Sequence, residues 1–295
     1  MFKALLITMR PKQWTKNAIL LFPFMFTLNE YWSPFSPEMY HMLGLVMPAL
    51  FLFCILSGCV YLINDIMDME KDRHHPTKSL RPLPAGKLTA RQAIVALAVL
   101  LPLSLVASFW LHLFFGSIAL AYFLVMLTYN FVLKNVVIID VFTIAAGFVL
   151  RAVAGAVVID VGISPWLYVC TILLALFLGF GKRRHELLLL EDNASEHRAI
   201  LREYSRHFLD EMIAVVSSAS VMAYSLYTFS APNLPENHAM MLTIPFVIYG
   251  IFRYLYLIHI KNAGGSPEEI LIGDPPFIAA ILLWGISVVL ILYLF

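Results

Sequence analysis

The sequence predicts an all-α integral membrane protein: nine transmembrane helices, N-terminus in the cytoplasm, C-terminus outside. Three observations predict it. The 295 residues are 61% hydrophobic and only 13% charged, with a mean hydropathy of +0.82. The apolar residues fall in continuous runs long enough to cross a bilayer, about 20 residues each. Every Lys and Arg outside those runs lies in one set of alternating loops, the pattern of the positive-inside rule. A water-soluble fold of this size has too much surface to hide so many apolar side chains, and disorder is excluded for the same reason. Net charge is near zero, 20 Lys+Arg against 19 Asp+Glu, and no nucleic-acid partner is expected.

The runs lie at about 17–30, 41–63, 92–111, 114–133, 137–158, 164–181, 208–229, 239–260 and 276–294. They read as helices because the apolar residues do not alternate as barrel strands do. The first is the shortest and is interrupted by Pro23. The N-terminal segment carries Lys3, Arg10, Lys12 and Lys16, and basic residues also fill the loops after spans 2, 4, 6 and 8. The opposite loops carry none, so one missed helix would scramble the pattern. The N-terminus lacks a signal-peptide pattern and is expected to be retained. Cys54, Cys59 and Cys170 sit in apolar runs and read as small buried residues, with no disulfide or metal spacing. The chain reads as one transmembrane domain, 1–295, whose two long cytoplasmic loops, about 64–91 and 182–207, cap a site.

The end of span 2 carries the most information. Asn64-Asp65-x-x-Asp68-x-x-x-Asp72 places four oxygen-bearing side chains within about 100° of one another on a continuing helix. Three carboxylates so close repel one another, and a divalent cation with oxygen preference resolves the repulsion. Mg²⁺ fits best, since it keeps several waters and bridges one or two carboxylates to substrate phosphates. The solvated polar helix end is the plainer alternative for any one Asp; four such groups at a membrane boundary favour a site. A basic, proline-rich loop follows, with Lys78 and Arg81 beside the acids, so the ligand should carry phosphate. His74 and His75 have no matching ligand pair for zinc.

Other polar groups lie where lipid should be. Arg151 falls near the centre of span 5, where an unpaired guanidinium costs at least ~2.5 kcal/mol. Gly147 and Gly155, four residues either side, clear one helix face. A ligand is the expected partner, with a buried acid such as Asp160 or Asp65 as the structural alternative. Tyr129, Lys134 and Asp140 bracket the turn between spans 4 and 5. Lys16, Asn17 and Trp14 read as an interfacial anchor. The second long loop begins Lys182-Arg183-Arg184-His185-Glu186 and lacks a second aspartate pattern. Arg253 in span 8 reads as a snorkelling side chain.

Together these residues resemble the UbiA superfamily of intramembrane prenyltransferases over nearly the whole chain: nine spans, long loops after spans 2 and 6, and the Asn64–Asp72 motif. Within it they are most similar to the polyprenyl-phosphate phosphoribosyltransferase branch. That similarity rests on Arg10-Pro-Lys-Gln-Trp-Thr-Lys16-Asn17, Asp72-Arg-His-His-Pro76-Thr-Lys78 with Arg81-Pro82, Leu133-Lys134, Gly147-Phe-Val-Leu-Arg151, and Lys182-Arg183 with Glu186. The departure from the wider superfamily is the basic stretch where aromatic prenyltransferases resemble one another in a second aspartate cluster.

The resemblance implies transfer of 5-phosphoribose from 5-phosphoribosyl 1-diphosphate to a polyprenyl phosphate, Mg²⁺-dependent, at a bacterial-type inner membrane. Asn64 and Asp68 are expected to bind the metal, with Asp65 and Asp72 in support. Lys78 and Arg81 are expected to hold diphosphate or 5-phosphate, and Lys16, Tyr61 and Lys134 to complete the sugar pocket. Arg151, Lys182 and Arg183 are expected to add phosphate contacts. A homo-oligomer is compatible with the sequence. A prenyl diphosphate:aromatic acceptor prenyltransferase is the alternative enzyme. A transporter is the alternative class, disfavoured because intramembrane charges are sparse and no internal repeat is visible.

Overall fold

The computed structural model describes residues 1–74, 78–192, 199–231, 234–261, 270 and 273–295. His75, Pro76, Thr77 and the Glu196-His197-Arg198 stretch lie outside the described residues. Among those residues the protein is a bundle of α-helices with no named strand. The order is α1 (Phe2–Thr8), a 3₁₀ segment (Pro11–Leu21), α2 (Phe22–Phe26), α3 (Pro37–Met67), α4 (Met69–Arg73), α5 (Ala90–Leu111), α6 (Leu113–Phe131) and α7 (Ile139–Val158). Then come α8 (Pro165–Asp192), α9 (Arg206–Ser230), α10 (Ile244–His259) and α11 (Pro275–Leu294).

Local chemistry sets the helix starts. Ser36 accepts from the Met39 N–H with Pro37 at the first helical position, and Thr89 with Gln92 forms a capping box on α5. The His112 ring accepts from the Phe115 N–H and is the one residue between α5 and α6. Ser205 and Asp274 cap α9 and α11 in the same way.

Eight of the nine expected runs are helices long and apolar enough to span a membrane. The run at 17–30 is not. In its place the 3₁₀ segment Pro11–Leu21 leads into the five-residue α2. Pro11, Pro23 and the left-handed Arg10 (φ 54°) interrupt regular α-helix here. This stretch nonetheless runs antiparallel beside α3. Arg10 meets Asp65, Asn17 bonds Cys54 and Ser57, and the Asn29 amide donates to the Leu292 carbonyl at the far end of α11 (2.7 Å).

α7 is the hub. Of the residues in its apolar window 56% are buried, against 11% for the peripheral α5. One face of α7 packs Val141 and Ala145 against α8, α9 and α10; the other packs Ala154, Ala156 and Val158 with α3, α6 and Leu20. Gly155 permits the closest approach, since a Cβ there would overlap the Leu20 carbonyl. α3 and α8 overshoot the bilayer. Their 31 and 28 residues rise about 1.5 Å each, well beyond the ~30 Å hydrocarbon core. The last turn of α3, and α8 from Arg183 onward, carry the two groups of charged side chains described next.

Candidate active site

The acidic motif sits where α3 ends. Asp68 is the break residue between α3 and α4, with φ −89° and ψ 4°. The helix therefore does not continue unbroken as the wheel assumed. The register nevertheless survives: the Asp68 N–H donates to Asn64 O (2.9 Å) and the Asp72 N–H to Asp68 O (2.8 Å). Asp65 and Asp72 are buried at 2% and 3% exposure, and one guanidinium bridges them. Arg81 Nη1 donates to Asp72 Oδ2 at 2.7 Å and to Asp65 Oδ1 at 3.3 Å. The Pro82–Leu88 stretch folds Arg81 back onto the helix by burying Leu83 and Leu88 against Leu62 and Ala93.

Three further cations close on the same acids. Arg10 bonds Asp65, and its guanidinium lies 4.8 Å over the Tyr61 ring. Lys78 Nζ is 3.9 Å from Asp72 Oδ1, and Lys134 Nζ, from the turn after α6, is 3.6 Å from Asp68 Oδ1. Three carboxylates thus face four cations. The cluster carries surplus positive charge at a partly open surface, where Asp68 keeps 31% side-chain exposure. That arrangement suits a polyanion. Among the described residues no three His, Cys, Asp or Glu side chains converge as a ready metal cage. Arg10, Arg81 and Lys78 pair with the buried Asp65 and Asp72, while Asp68, with Lys134 3.6 Å away, keeps its exposure, so that Asn64 and Asp68 are the motif's more accessible oxygen donors for a cation. Two hard oxygen donors fit Mg²⁺ that takes its remaining ligands from water and substrate phosphate.

Arg151 is buried, and neither acid weighed for it is its partner. Its Nε donates to Asn17 Oδ1 (2.7 Å), Nη1 to Gly147 O (2.8 Å) and Nη2 to Tyr122 Oη (2.7 Å). Asp160 pairs instead with His112 at the opposite end of α7. Asn17 is therefore not a headgroup anchor: it is fully buried and ties the 3₁₀ segment to α3 and α7. Lys16, one residue earlier, is half-buried and takes part in contacts of its own.

On α8, Arg183 and Asp140 are sealed at 1% and 0% exposure. Arg183 Nε donates to Asp140 Oδ2 (2.6 Å), Nη1 to Glu186, and Nη2 to Tyr129 Oη (3.1 Å). Arg183 thus ties α8 to α6 and α7, a different use from the phosphate contact expected of it. Its neighbour Lys182 is half-buried. Arg184 bonds Asp210 and the Ile258 carbonyl, joining α8 to α9 and α10. Arg253 does not snorkel alone; it forms a two-pronged pair with Asp274 at 3.1 and 2.9 Å.

Sequence reasoning missed Arg10 as a partner of the acids, Tyr122 as a partner of Arg151, and Tyr204. The Tyr204 hydroxyl donates to Asp140 Oδ1 (2.8 Å) and accepts from the Ile138 N–H (2.7 Å). Arg10 could have been found, because it is the basic residue just before a proline that must break the helix.

The chain matches the model of the UbiA prenyltransferase family over residues 20–269. It is 31% identical to the decaprenyl-phosphate phosphoribosyltransferase of Mycolicibacterium smegmatis, covering 95% of this chain and 89% of that protein. It is 31% identical to the enzyme of the same name from Corynebacterium glutamicum, covering 100% and 87%. The fold is similar to the solved structure of a UbiA homologue from Archaeoglobus fulgidus bound to GPP and Mg²⁺. That likeness has a TM-score of 0.72 at 19% identity and covers 97% of this chain and 99% of the other.

Proposed function

The chain belongs to the UbiA prenyltransferase family, and on that premise we propose that this transferase makes a polyprenyl-phosphoryl-5-phosphoribose. The sugar comes from 5-phosphoribosyl 1-diphosphate, the acceptor is a polyprenyl phosphate, and diphosphate leaves. The observation that carries the reading is the acidic motif at the end of α3 with its excess of cations, Arg10, Lys78, Arg81 and Lys134. A soluble polyanion and a lipid phosphate can meet only at such a boundary. The names of the two bacterial relatives, each similar over nearly its whole length, support the same substrates.

An oxygen of the lipid phosphate attacks C1 of the ribose as the bond from C1 to diphosphate breaks. The nucleophile is already an anion, so no general base is required. Asn64 and Asp68 would hold Mg²⁺, in keeping with the Mg²⁺ named for the archaeal homologue. The metal, when bound, neutralises charge on the leaving diphosphate. Asp65 and Asp72 hold Arg10, Arg81 and Lys78 in place to receive phosphate oxygens, and Lys134 and Lys16 flank the sugar with Tyr61. Arg151 and Lys182 are assigned to the lipid phosphate side, while Arg183 supports Glu186 and Asp140 from behind. Catalysis is then positioning and electrostatic stabilisation of developing charge at C1.

The topology follows from the same reading. The 3₁₀ segment of 11 residues rises about 2.0 Å per residue, and α2 adds five residues at about 1.5 Å each. Together they reach about 30 Å, the thickness of the hydrocarbon core. The stretch is thus a ninth, irregular crossing. The N-terminus and the 64–91 and 182–207 loops then face the cytoplasm of a bacterial inner membrane, capping the site of a single domain, and the C-terminus lies outside.

The test uses detergent-purified protein, Mg²⁺, radiolabelled 5-phosphoribosyl 1-diphosphate and a polyprenyl monophosphate. Label is expected in the organic phase, and EDTA is expected to abolish it. No transfer of label, with consumption of a prenyl diphosphate and an aromatic acceptor instead, would replace this reading with aromatic prenylation.

A further inference from the structure

Ile138 lies in a conformation its side chain disfavours. Its φ is 69° and its ψ −47°, and the Ile139 N–H donates to the Val137 carbonyl at 2.8 Å. That is a γ-turn of the rarer, positive-φ kind, centred on a β-branched residue, for which positive φ is a genuine outlier. Such a conformation persists only where the surroundings over-determine it. Here they do. The Ile138 N–H is taken by Tyr204 Oη, and the Tyr204 hydroxyl is held by Asp140 Oδ1. Asp140 Oδ2 is held in turn by Arg183 Nε. Arg183 Nη2 reaches Tyr129, so the connection between α6 and α7 is gripped on both flanks.

That connection is the 3₁₀ turn Leu133–Asn135, which presents Lys134 to Asp68. Tyr204 comes from the far side of the molecule in sequence, just before α9. It is 4% exposed and stacks against Phe208, with Ile200 and Leu201 packed in the same cluster. Burial raises its hydroxyl well above the usual phenol value, so it stays protonated and able to donate to Asp140.

We propose that Tyr204 is a positioning residue: it locks the strained turn at Ile138 and thereby fixes Lys134 over Asp68 for the phosphosugar. The second cytoplasmic loop then serves the reaction by holding a residue of the first site, in addition to covering it. The proposal rests on the reading above that Lys134 contacts the sugar phosphate donor.

The experiment compares wild type, Tyr204→Phe, Lys134→Ala and the double variant. Tyr204→Phe keeps the buried ring and removes both hydrogen bonds. Its KM for 5-phosphoribosyl 1-diphosphate is expected to rise about tenfold, the worth of one hydrogen bond to a charged group, with kcat within about twofold of wild type. In the Lys134→Ala background the same change is expected to add nothing, because the residue it positions is gone. Multiplicative effects, or an unchanged KM, would overturn the proposal. Amide hydrogen exchange of the 133–140 segment is measured in parallel and needs no substrate: faster exchange at Ile138 is expected in Tyr204→Phe, and an unchanged rate would overturn the latch. If wild type transferred no phosphoribose, the functional reading would fall and exchange alone would decide whether Tyr204 holds the turn. Ile138→Gly, which accepts positive φ without steric cost, is expected to bring the KM of Tyr204→Phe back within about threefold of wild type. It also supplies the comparison should Tyr204→Phe alone not fold. Absence of rescue would refute the role of strain.

Discussion

At the end of α3 three carboxylates meet four cations and one of the acids, Asp68, stays partly open to water; on α8, Arg183 is sealed from it together with Asp140 of α7. The two groups lie at one end of the bundle, joined through the turn between α6 and α7, and both are built from Arg and Asp. Their stoichiometry and exposure separate them. Around Asp65, Asp68 and Asp72 the positive charge is in excess and Asp68 is partly accessible, an arrangement suited to an incoming polyanion. Around Arg183 the positive charge is answered by two carboxylates, Asp140 and Glu186, and a third bond goes to Tyr129. A run of basic residues after a membrane span is thus not a phosphate site by composition alone. The distinction is whether the protein's own acids have consumed the charge.

The sharpest way to break this comparison is to remove the sealed charge. Arg183→Met leaves Asp140 buried without its guanidinium, a change expected to cost about 3–5 kcal/mol of stability. The loss should appear as a lowered thermal midpoint and poor recovery in detergent, before any kinetic effect is measurable. A variant as stable as wild type, but with a raised KM for the sugar donor, would move Arg183 back among the phosphate contacts.

The accessible cluster should respond in the opposite way. Asp68→Ala removes a half-exposed carboxylate whose ion partner stands 3.6 Å away, so no buried charge is orphaned and the thermal midpoint should hold. Turnover should fall by at least about 10²-fold, the scale of losing a principal electrostatic contact to the leaving group. Chelation of divalent metal should reproduce the loss in wild type and add little to the variant. Turnover near the wild-type rate would remove Asp68 from the metal assignment.

How far this division could be read from the sequence depends on the range of the interaction. The acidic motif was legible because its spacing is helical and its members are local; the break at Asp68 moved the helix end without moving the register. Eight spans were legible because each is a continuous apolar run. The first run was legible as an apolar stretch but not in its form, because Pro11 and Pro23 turn it into a 3₁₀ segment and a short helix, and apolarity alone does not report helix type. Arg151 was correctly marked as a buried charge, but only a ligand, or failing that a buried acid, was considered as its partner. Asn17 and Tyr122 are neutral, 134 and 29 residues away in sequence, and nothing in the local pattern announces them. The partner of Arg183 was hidden for the same reason: Asp140 lies 43 residues off, and only the fold brings the two together.

A third pair at the helix ends calibrates the other two. Arg253 and Asp274 join α10 to the start of α11, where Asp274 also accepts the Phe277 N–H as the helix cap. Both side chains keep some exposure, 27% and 14%, so this pair is neither sealed nor in excess. The hydrogen bonds from Arg253, and then the bond from the Phe277 N–H, hold the Asp274 carboxyl below its ordinary value. A carboxyl depressed in the folded state contributes stability that is fully present above its unfolded pKa, about 3.9, and is lost as pH falls through the lower folded value. Asp274→Ala is therefore expected to cost about 1 kcal/mol at neutral pH, chiefly as the lost cap. The gap between variant and wild type should narrow only below about pH 4, and turnover per folded molecule should be untouched. Thermal unfolding of both proteins across that range reads it directly. A gap as large as that of Arg183→Met would show that exposure does not grade these pairs, and the contrast between the two charged groups would then need another physical basis.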